Sequence, residues 1–144
     1  IMHSWCILVL KLGFSAPTVQ GLENLPPKEE TVLVCANHMS WFDVPALHGF
    51  LGGRLLWSFA KAELVNVPVL GTYMTSAQHI LISRLSRKSQ LESLKNAIKA
   101  LGMGRNVFIF PEGTRSVDGK LRDFKGGAFT IARKSGCRIV PVTL

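Results

Sequence analysis

His38 and Asp43 are the residues of this sequence best suited to acid–base chemistry, and they stand five positions apart in N-H-M-S-W-F-D. On one ideal α-helix that spacing places two side chains about 140° apart, on different faces. The two can meet only if His38 lies in a turn before a helix and Asp43 lies in its first turn. The carboxylate could then hold one ring nitrogen and leave the other free to accept a proton, as in a general base with its orienting partner.

A simpler interpretation of the same pair stays open. Asp43 could only cap the helix together with Ser40, and His38 could be an ordinary loop residue. A histidine and an aspartate at one fixed spacing occur by chance in about one chain in ten. The pair alone is therefore weak support for a catalytic function.

The F-P-E-G-T-R-S motif, Phe110–Ser116, is far more specific. Its first six residues, F-P-E-G-T-R, would arise by chance in about one chain in 10⁶. Gly113 allows a sharp turn with exposed backbone N–H groups, Thr114 adds a hydroxyl, and Arg115 offers a planar fork suited to a phosphate. The motif indicates an anion site, although a polar turn with Glu112 paired to Arg115 would also explain it.

Both motifs follow runs typical of buried strands, Thr31–Ala36 and Asn106–Phe110. Strands alternate with helices along the chain, which predicts an α/β fold with a mainly parallel sheet flanked by helices. In such sheets, sites lie beyond the carboxyl ends of the strands, where both motifs stand. The other predicted elements are strands over Leu56–Ala60, His79–Ser83 and Arg138–Leu144, and helices over Ser40–Phe50, Ser89–Leu101 and Phe129–Lys134.

Two of these elements carry more detailed predictions. Ser89 and Glu92 form a capping box at the start of the helix that ends at Leu101. One apolar face of that helix consists of Leu91, Leu94, Ile98 and Leu101. Pro141 predicts that the last strand is bent or lies at an edge of the sheet.

Composition narrows the class of partner. The chain has 144 residues, enough for one domain, with 47% hydrophobic residues, a net charge of +8 and a pI of about 9.9. Such a charge favours anionic partners, and the high apolar content favours a lipid surface among them. Nucleic acid is the weaker candidate, because the sequence contains no known nucleic-acid-binding motif. The three cysteines include no pair with metal-ligand spacing, so no metal site is predicted.

Both ends of the sequence carry apolar runs. Ile1–Phe14 is too short to span a bilayer, which needs about 20 apolar residues, and it could form an interfacial helix or the stump of a longer one. Ala16–Glu30 contains three prolines and reads as a connector. We therefore expect residues 1–20 to be a membrane-associating segment with its connector. The sequence stops inside an apolar strand-like run, so we also expect it to be a fragment that lacks a C-terminal part.

The chain resembles the glycerolipid acyltransferase family, in particular the bacterial 1-acylglycerol-3-phosphate acyltransferases. The family pattern N-H-x-S-x-x-D is matched between Asn37 and Asp43, F-P-E-G-T-R-S between Phe110 and Ser116, and an apolar V-P-V at Val140–Val142. A further family block is matched in order by Lys61, Pro68, Gly71 and Arg84. The resemblance covers Gly21–Leu144, which is the expected catalytic core, and departs from the family pattern at His79 and Ser83.

The resemblance implies a mechanism and a set of site residues. His38 would be the general base on an acceptor hydroxyl, Asp43 would orient its ring, and the alkoxide would attack a thioester carbonyl without a covalent acyl-enzyme. The backbone N–H groups of Gly113 and its neighbours could stabilise the oxyanion. The substrate-binding set would be Lys61, Arg84, Glu112, Gly113, Thr114 and Arg115, with the arginines and Lys61 on the acceptor phosphate.

The implied reaction transfers an acyl group from acyl-CoA or acyl carrier protein to lysophosphatidate, giving phosphatidate at the cytoplasmic face of a membrane. No metal and no cofactor beyond the acyl thioester are implied, and nucleic acid is not an expected partner. Glycerol 3-phosphate, another lysophospholipid or an aminolipid stay open as acceptors. A non-catalytic module that binds anionic membranes is the alternative of another class, although a pure binder needs no base.

Other reactive or aromatic residues receive structural interpretations. Cys35 precedes His38 by three positions, yet its apolar strand predicts a core thiol and not a nucleophile. The remaining histidines, His3, His48 and His79, are expected to be structural or on the surface. The tryptophans, Trp5, Trp41 and Trp57, are expected in the core or at a membrane interface.

Overall fold

The fold is a five-stranded parallel sheet flanked by helices, as the sequence predicts. The computed structural model describes residues 2–13, 17–51, 53–54, 56–68, 70–76, 79–83 and 86–144. The strands are β1 (Val32–Ala36), β2 (Leu56–Lys61), β3 (Ile80–Ile82), β4 (Asn106–Ile109) and β5 (Arg138–Val142), and all neighbours pair in parallel in the order β3-β2-β4-β1-β5. The helices are α1 (Met2–Leu12), α2 (Asp43–Phe50), α3 (Leu70–Ser76), α4 (Arg87–Gly102) and α5 (Gly127–Ser135). Short 3₁₀ turns cover Leu22–Asn24 and Ala62–Asn66.

The sheet is buried on both faces, which explains why β1 is a continuous apolar run. Val32 and Val34 of β1 face a cluster that includes Leu47 of α2. Leu33, between them, faces the opposite cluster, where Ala97 of α4 packs. The alternation of a strand thus divides one apolar run between two cores.

Helix α1 packs on α2 and leaves part of its apolar surface exposed. Cys6 and Leu10 are buried, while Leu8 and Leu12 are 52% and 70% exposed. The two helices are close at Gly49, where a Cβ would lie 3.2 Å from the Ile7 side chain. Within the described ranges, no helix has the length and apolar character needed to cross a membrane.

Three details of the sequence prediction are wrong. Helix α4 begins at Arg87 with Ser86 as its N-cap, whose side chain accepts from the Ser89 N–H, so the predicted capping box at Ser89 is not the start. Leu91 is 54% exposed, because the buried face of α4 is formed by small residues, Ser93, Ala97 and Ala100, with Leu101. Helix α2 begins at Asp43 and not at Ser40.

Pro141 lies where the sequence predicts. Strand β5 is at the edge of the sheet, and Pro141 pairs with Cys35 of β1. A proline is tolerated there because an edge strand has one side that needs no ladder hydrogen bonds.

A buried polar cluster lies under the β2–β3 side of the sheet. The His79 Nδ1 atom is 3.2 Å from the Ser58 backbone nitrogen and 2.8 Å from the Ser58 Oγ atom, so it accepts from the N–H. His48 of α2 is 6% exposed, and its ring lies 6.2 Å from that of His79. The His48 Nε2 atom has no hydrogen-bond partner in the described part of the chain. Burial lowers the pKa of His48 to about 4, with a further contribution from His79, and burial also lowers the pKa of His79.

We predict that this cluster makes the fold sensitive to mild acid. An unfolded histidine gains a proton below its ordinary pKa of about 6.5, whereas folded His48 resists protonation, so the free energy of unfolding falls as pH falls. Between pH 7 and pH 5, His48 alone should remove about 2 kcal/mol. Urea unfolding at both pH values should show a smaller loss for His48→Gln than for the wild type. Equal losses in both proteins would contradict this account.

Candidate active site

His38 and Asp43 meet at the carboxyl end of β1 in the geometry that their spacing requires. His38 lies in the turn after β1, and Asp43 is the first residue of α2. The His38 Nδ1 atom lies 2.7 Å from the Asp43 Oδ2 atom. Because a carboxylate only accepts, Nδ1 carries the proton in this bond, and Nε2 is left with a lone pair that can take another.

The Asp43 carboxylate also organises the turn that carries the histidine. Its Oδ2 atom accepts from the backbone N–H groups of Met39 at 2.6 Å and Ser40 at 2.8 Å, and the residue is 5% exposed. The Ser40 Oγ atom accepts from the Phe42 N–H at 3.1 Å. Only one of the two reciprocal contacts of a capping box is present, the one from the Asp43 carboxylate to the Ser40 N–H, and the helix starts three residues after Ser40. The simpler capping interpretation and the base-orienting one describe the same carboxylate.

Phe110 fixes the plane of the His38 ring. The two rings are stacked with centroids 3.8 Å apart and an angle of 5° between their planes. Phe108 of β4 supports Phe110 edge-on at 5.5 Å. The imidazole is thus held by a hydrogen bond at one nitrogen and by an aromatic face, with 17% of its side chain exposed.

Glu112 joins the two motifs through backbone groups. One oxygen accepts from the His38 N–H at 2.7 Å and the other from the Arg122 N–H at 3.1 Å. The His38 carbonyl in turn accepts from the Ser116 N–H at 2.8 Å. Glu112 is 2% exposed and makes no ion pair with Arg115, so its observed contacts position the backbone of the site. A contact between its side chain and substrate stays a prediction.

Gly113 adopts a left-handed conformation with φ 70°, which favours glycine. Its N–H donates to the Phe110 carbonyl at 3.0 Å and closes the turn. This N–H is therefore not available to an oxyanion, contrary to the expectation from the sequence. The next N–H, that of Thr114, makes no hydrogen bond with any described residue. Thr114 is exposed and is the better candidate for a backbone donor to substrate.

The structure describes two of the three predicted phosphate-binding cations, Arg115 and Lys61. The Arg115 guanidinium lies 4.2 Å above the centroid of the Trp41 ring. Lys61 is exposed at the carboxyl end of β2, on the same edge of the sheet as His38. Arg84 lies outside the described residues, so its position relative to Arg115 stays a prediction.

Lys125 lies beside the site, although it is not among the predicted site residues. Its backbone N–H donates to the Pro111 carbonyl at 2.9 Å. A Cβ placed on Gly113 would lie 2.9 Å from the Lys125 Nζ atom, so the side chain crosses directly over the glycine. An open depression beside it is lined by Glu112, Thr114, Leu121, Arg122, Asp123 and Lys125. The only signal in the sequence was that K-G-G-A-F follows the motif closely.

Asn37, the first residue of the N-H-M-S-W-F-D motif, is structural. Its side chain donates to the Leu144 carbonyl at 2.9 Å and accepts from the Leu144 N–H at 2.7 Å. This pair ties the segment after β1 to the segment after β5. Among the described residues, no group of three or more histidine, cysteine, aspartate or glutamate side chains could hold a metal ion.

Comparison with known proteins decides the family. The acyltransferase family model matches residues 16–144, which contain every residue of the site. The chain belongs to the acyltransferase family. It is similar to relatives named 1-acyl-sn-glycerol-3-phosphate acyltransferase: it is 40% identical over 91% of its length to one from Chlamydomonas reinhardtii and 35% identical over 100% to one from Borreliella burgdorferi.

A solved structure agrees with the fold. The crystal structure of the 1-acyl-sn-glycerophosphate (LPA) acyltransferase PlsC from Thermotoga maritima matches 97% of this chain with a TM-score of 0.83 and 33% identity. The chain spans 54% of that structure. It likewise spans 39% of the Chlamydomonas relative and 57% of the Borreliella relative.

We predict that Glu112→Gln loosens the active site. An amide can supply only one acceptor oxygen to the two backbone N–H groups, and its NH₂ group would face the other donor. The free energy of unfolding should fall by about 1–3 kcal/mol, and kcat should fall because His38 loses its anchor. Glu92→Gln on the exposed face of α4 is the matched control and should change neither quantity. If Glu112→Gln kept the wild-type stability and kcat, the two hydrogen bonds of the Glu112 carboxylate would have no role in holding the site.

Proposed function

We propose that this chain is the catalytic core of an enzyme that moves an acyl group from a thioester to the free hydroxyl of 1-acylglycerol 3-phosphate, giving phosphatidate. The observation that carries the proposal is the His38–Asp43 pair, whose 2.7 Å contact leaves Nε2 as a base beside the F-P-E-G-T-R-S motif. The names of the relatives favour this acceptor, at 31–40% identity.

The reaction follows from the geometry of the pair. His38 Nε2 takes the proton of the acceptor hydroxyl, and the oxygen attacks the thioester carbonyl. The new C–O bond forms, the C–S bond breaks, and the imidazolium returns its proton to the departing thiolate. A positioned base of this kind contributes about 10²–10⁴-fold to the rate. The Thr114 N–H is our candidate donor to the oxyanion.

A covalent route through Cys35 is disfavoured. Its side chain packs against the apolar cluster beneath α4 and α5, on the face opposite α2. Burial raises the pKa of the thiol to about 11, so it is protonated at neutral pH and a poor nucleophile. Direct transfer from donor to acceptor needs no such intermediate.

The acceptor phosphate would be bound by cations at the same edge of the sheet. Arg115 makes no ion pair among the described residues. Lys61 is exposed at the end of β2, the strand next to β4, which leads into the F-P-E-G-T-R-S motif. Arg84 is our third candidate, from its place in the sequence alone. Glycerol 3-phosphate or another lysophospholipid would satisfy the same charges, whereas a phosphate-free acceptor would leave Arg115 unused.

The proposed partners are an acyl thioester and a membrane surface. The donor would be acyl-CoA or acyl carrier protein, and no further cofactor is proposed. Residues 1–20 would associate with the membrane ahead of a catalytic core at 21–144, since α1 exposes Leu8 and Leu12 and the chain carries a charge of +8. Attachment at the cytoplasmic face would bring the site to its lipid acceptor.

His38→Ala should lower kcat by about 10²–10⁴-fold, because only this side chain can accept the hydroxyl proton. Asp43→Asn should also lose much of the activity, since the amide cannot hold the ring as a carboxylate does. Phosphatidate formation from lysophosphatidate and acyl-CoA or acyl carrier protein thioester measures both. His48→Gln, which changes a buried histidine outside the motif, should keep kcat within a few fold. A His38→Ala protein that turns over at the wild-type rate would refute the mechanism.

Arg115→Lys should raise KM for lysophosphatidate by one to two decades, because the ammonium cannot reproduce the bidentate fork on a phosphate. The loss corresponds to about 1.5–3 kcal/mol. We expect Arg84→Ala to behave alike. Monoacylglycerol, which lacks the phosphate, should be acylated with unchanged kinetics by both variants. Arg133→Lys on the exposed surface of α5 is the control. A wild type that prefers monoacylglycerol would assign the enzyme another acceptor.

A further inference from the structure

Trp41 is the most exposed part of the N-H-M-S-W-F-D motif and makes an unusual contact for such a residue. Its side chain is 72% exposed, yet the Arg115 guanidinium lies 4.2 Å above its ring centroid. From the sequence, a core or membrane-interface position was expected for this tryptophan. The stack instead connects it with the candidate phosphate ligand of the other motif.

The backbone at both ends of this stack is fixed. Trp41 lies in the turn between Ser40, whose N–H donates to the Asp43 carboxylate at 2.8 Å, and Phe42, whose N–H donates to the Ser40 side chain at 3.1 Å. Arg115 precedes Ser116, whose N–H donates to the His38 carbonyl at 2.8 Å. The indole and the guanidinium therefore both extend from turns whose backbone is held by hydrogen bonds.

A stack on an aromatic face affects arginine differently from an ion pair. A carboxylate would occupy the N–H donors at the edge of the guanidinium, whereas an aromatic ring covers its flat face and uses none of them. No carboxylate pairs with Arg115 among the described residues. All of its donors in the plane thus stay available while the plane itself is held in place.

We propose that Trp41 is a positioning residue for substrate binding: its indole holds the Arg115 guanidinium so that the N–H edge faces the phosphate monoester of the acceptor. The inference rests on the proposed function, because it names what orients the cation of that phosphate site. Trp41 contacts neither the reacting hydroxyl nor the thioester in this role. Its loss should act on acceptor KM and leave kcat nearly unchanged.

The first test is a pair of matched substitutions in one turn. Trp41→Leu removes the aromatic face, and Phe42→Leu makes the same change at the neighbouring exposed aromatic residue, which no arginine covers within the described structure. With a short-chain lysophosphatidate kept below its micelle concentration, Trp41→Leu should raise KM about two- to fivefold. Trp41→Phe should restore most of the affinity, and Phe42→Leu should leave KM unchanged.

The second test is a double-mutant cycle with Arg115→Ala. If Trp41 acts through the guanidinium, Trp41→Leu should add nothing to KM once the guanidinium is gone. Monoacylglycerol kinetics should not respond to Trp41→Leu in either background. Liposome sedimentation of the same variants measures membrane anchoring separately.

The outcomes separate the inference from the function on which it rests. An unchanged KM for Trp41→Leu, an equal rise for Phe42→Leu, or the full Trp41→Leu effect retained without Arg115 would overturn the positioning role while leaving the phosphate site intact. The last result, with weaker liposome binding, would identify Trp41 as a membrane anchor. An Arg115→Ala protein with wild-type lysophosphatidate KM would overturn the acceptor site and the inference together.

Discussion

The buried carboxylate of Asp43 is the constraint on which the site depends. A charge removed from water costs several kcal/mol unless donors replace the lost hydration. Here one oxygen accepts from the His38 ring and from two consecutive backbone N–H groups. The hydrogen bonds to this carboxylate therefore fix the turn before α2. They also select the histidine tautomer that carries its proton on Nδ1. The base is a consequence of how a single carboxylate is solvated by the chain.

A second buried carboxylate, that of Glu112, extends this order to a distant part of the sequence. It binds the His38 N–H across a separation of 74 residues, and the Arg122 N–H on its other side. The contact is possible because β1 and β4 are parallel neighbours, so the segments after them emerge side by side. The two acids have different roles: Asp43 orients the imidazole ring, and Glu112 fixes the backbone that carries it.

Among the described residues, the cations beside this frame, Arg115 and Lys125, form no ion pair. Arg115 lies on an aromatic face, and the Lys125 side chain crosses Gly113, where any larger residue would meet both the left-handed backbone and the lysine. Both acids of the frame are already occupied by backbone donors. These positive charges can therefore bind an anion from outside, as the proposed phosphate-bearing acceptor would require.

The sequence by itself determined the local features. The buried strands and the α/β class follow from patterns within a few residues, since backbone periodicity and capping act over that range. The spacing of His38 and Asp43 allowed them to meet across a turn, and the structure shows that they do. Helix starts were less predictable: several serines compete as caps before α4, and small residues in place of Leu91 form its buried face.

Only the tertiary structure decided the partners of the F-P-E-G-T-R-S motif. Glu112 and Arg115 are three residues apart and could have paired with each other, but strand order brings the His38 N–H to one and the Trp41 ring to the other. Burial settles the choice, because Glu112 at 2% exposure needs backbone donors, whereas Arg115 can keep its N–H edge near solvent. Long-range register, which no local pattern encodes, thus makes this turn one half of a two-motif site.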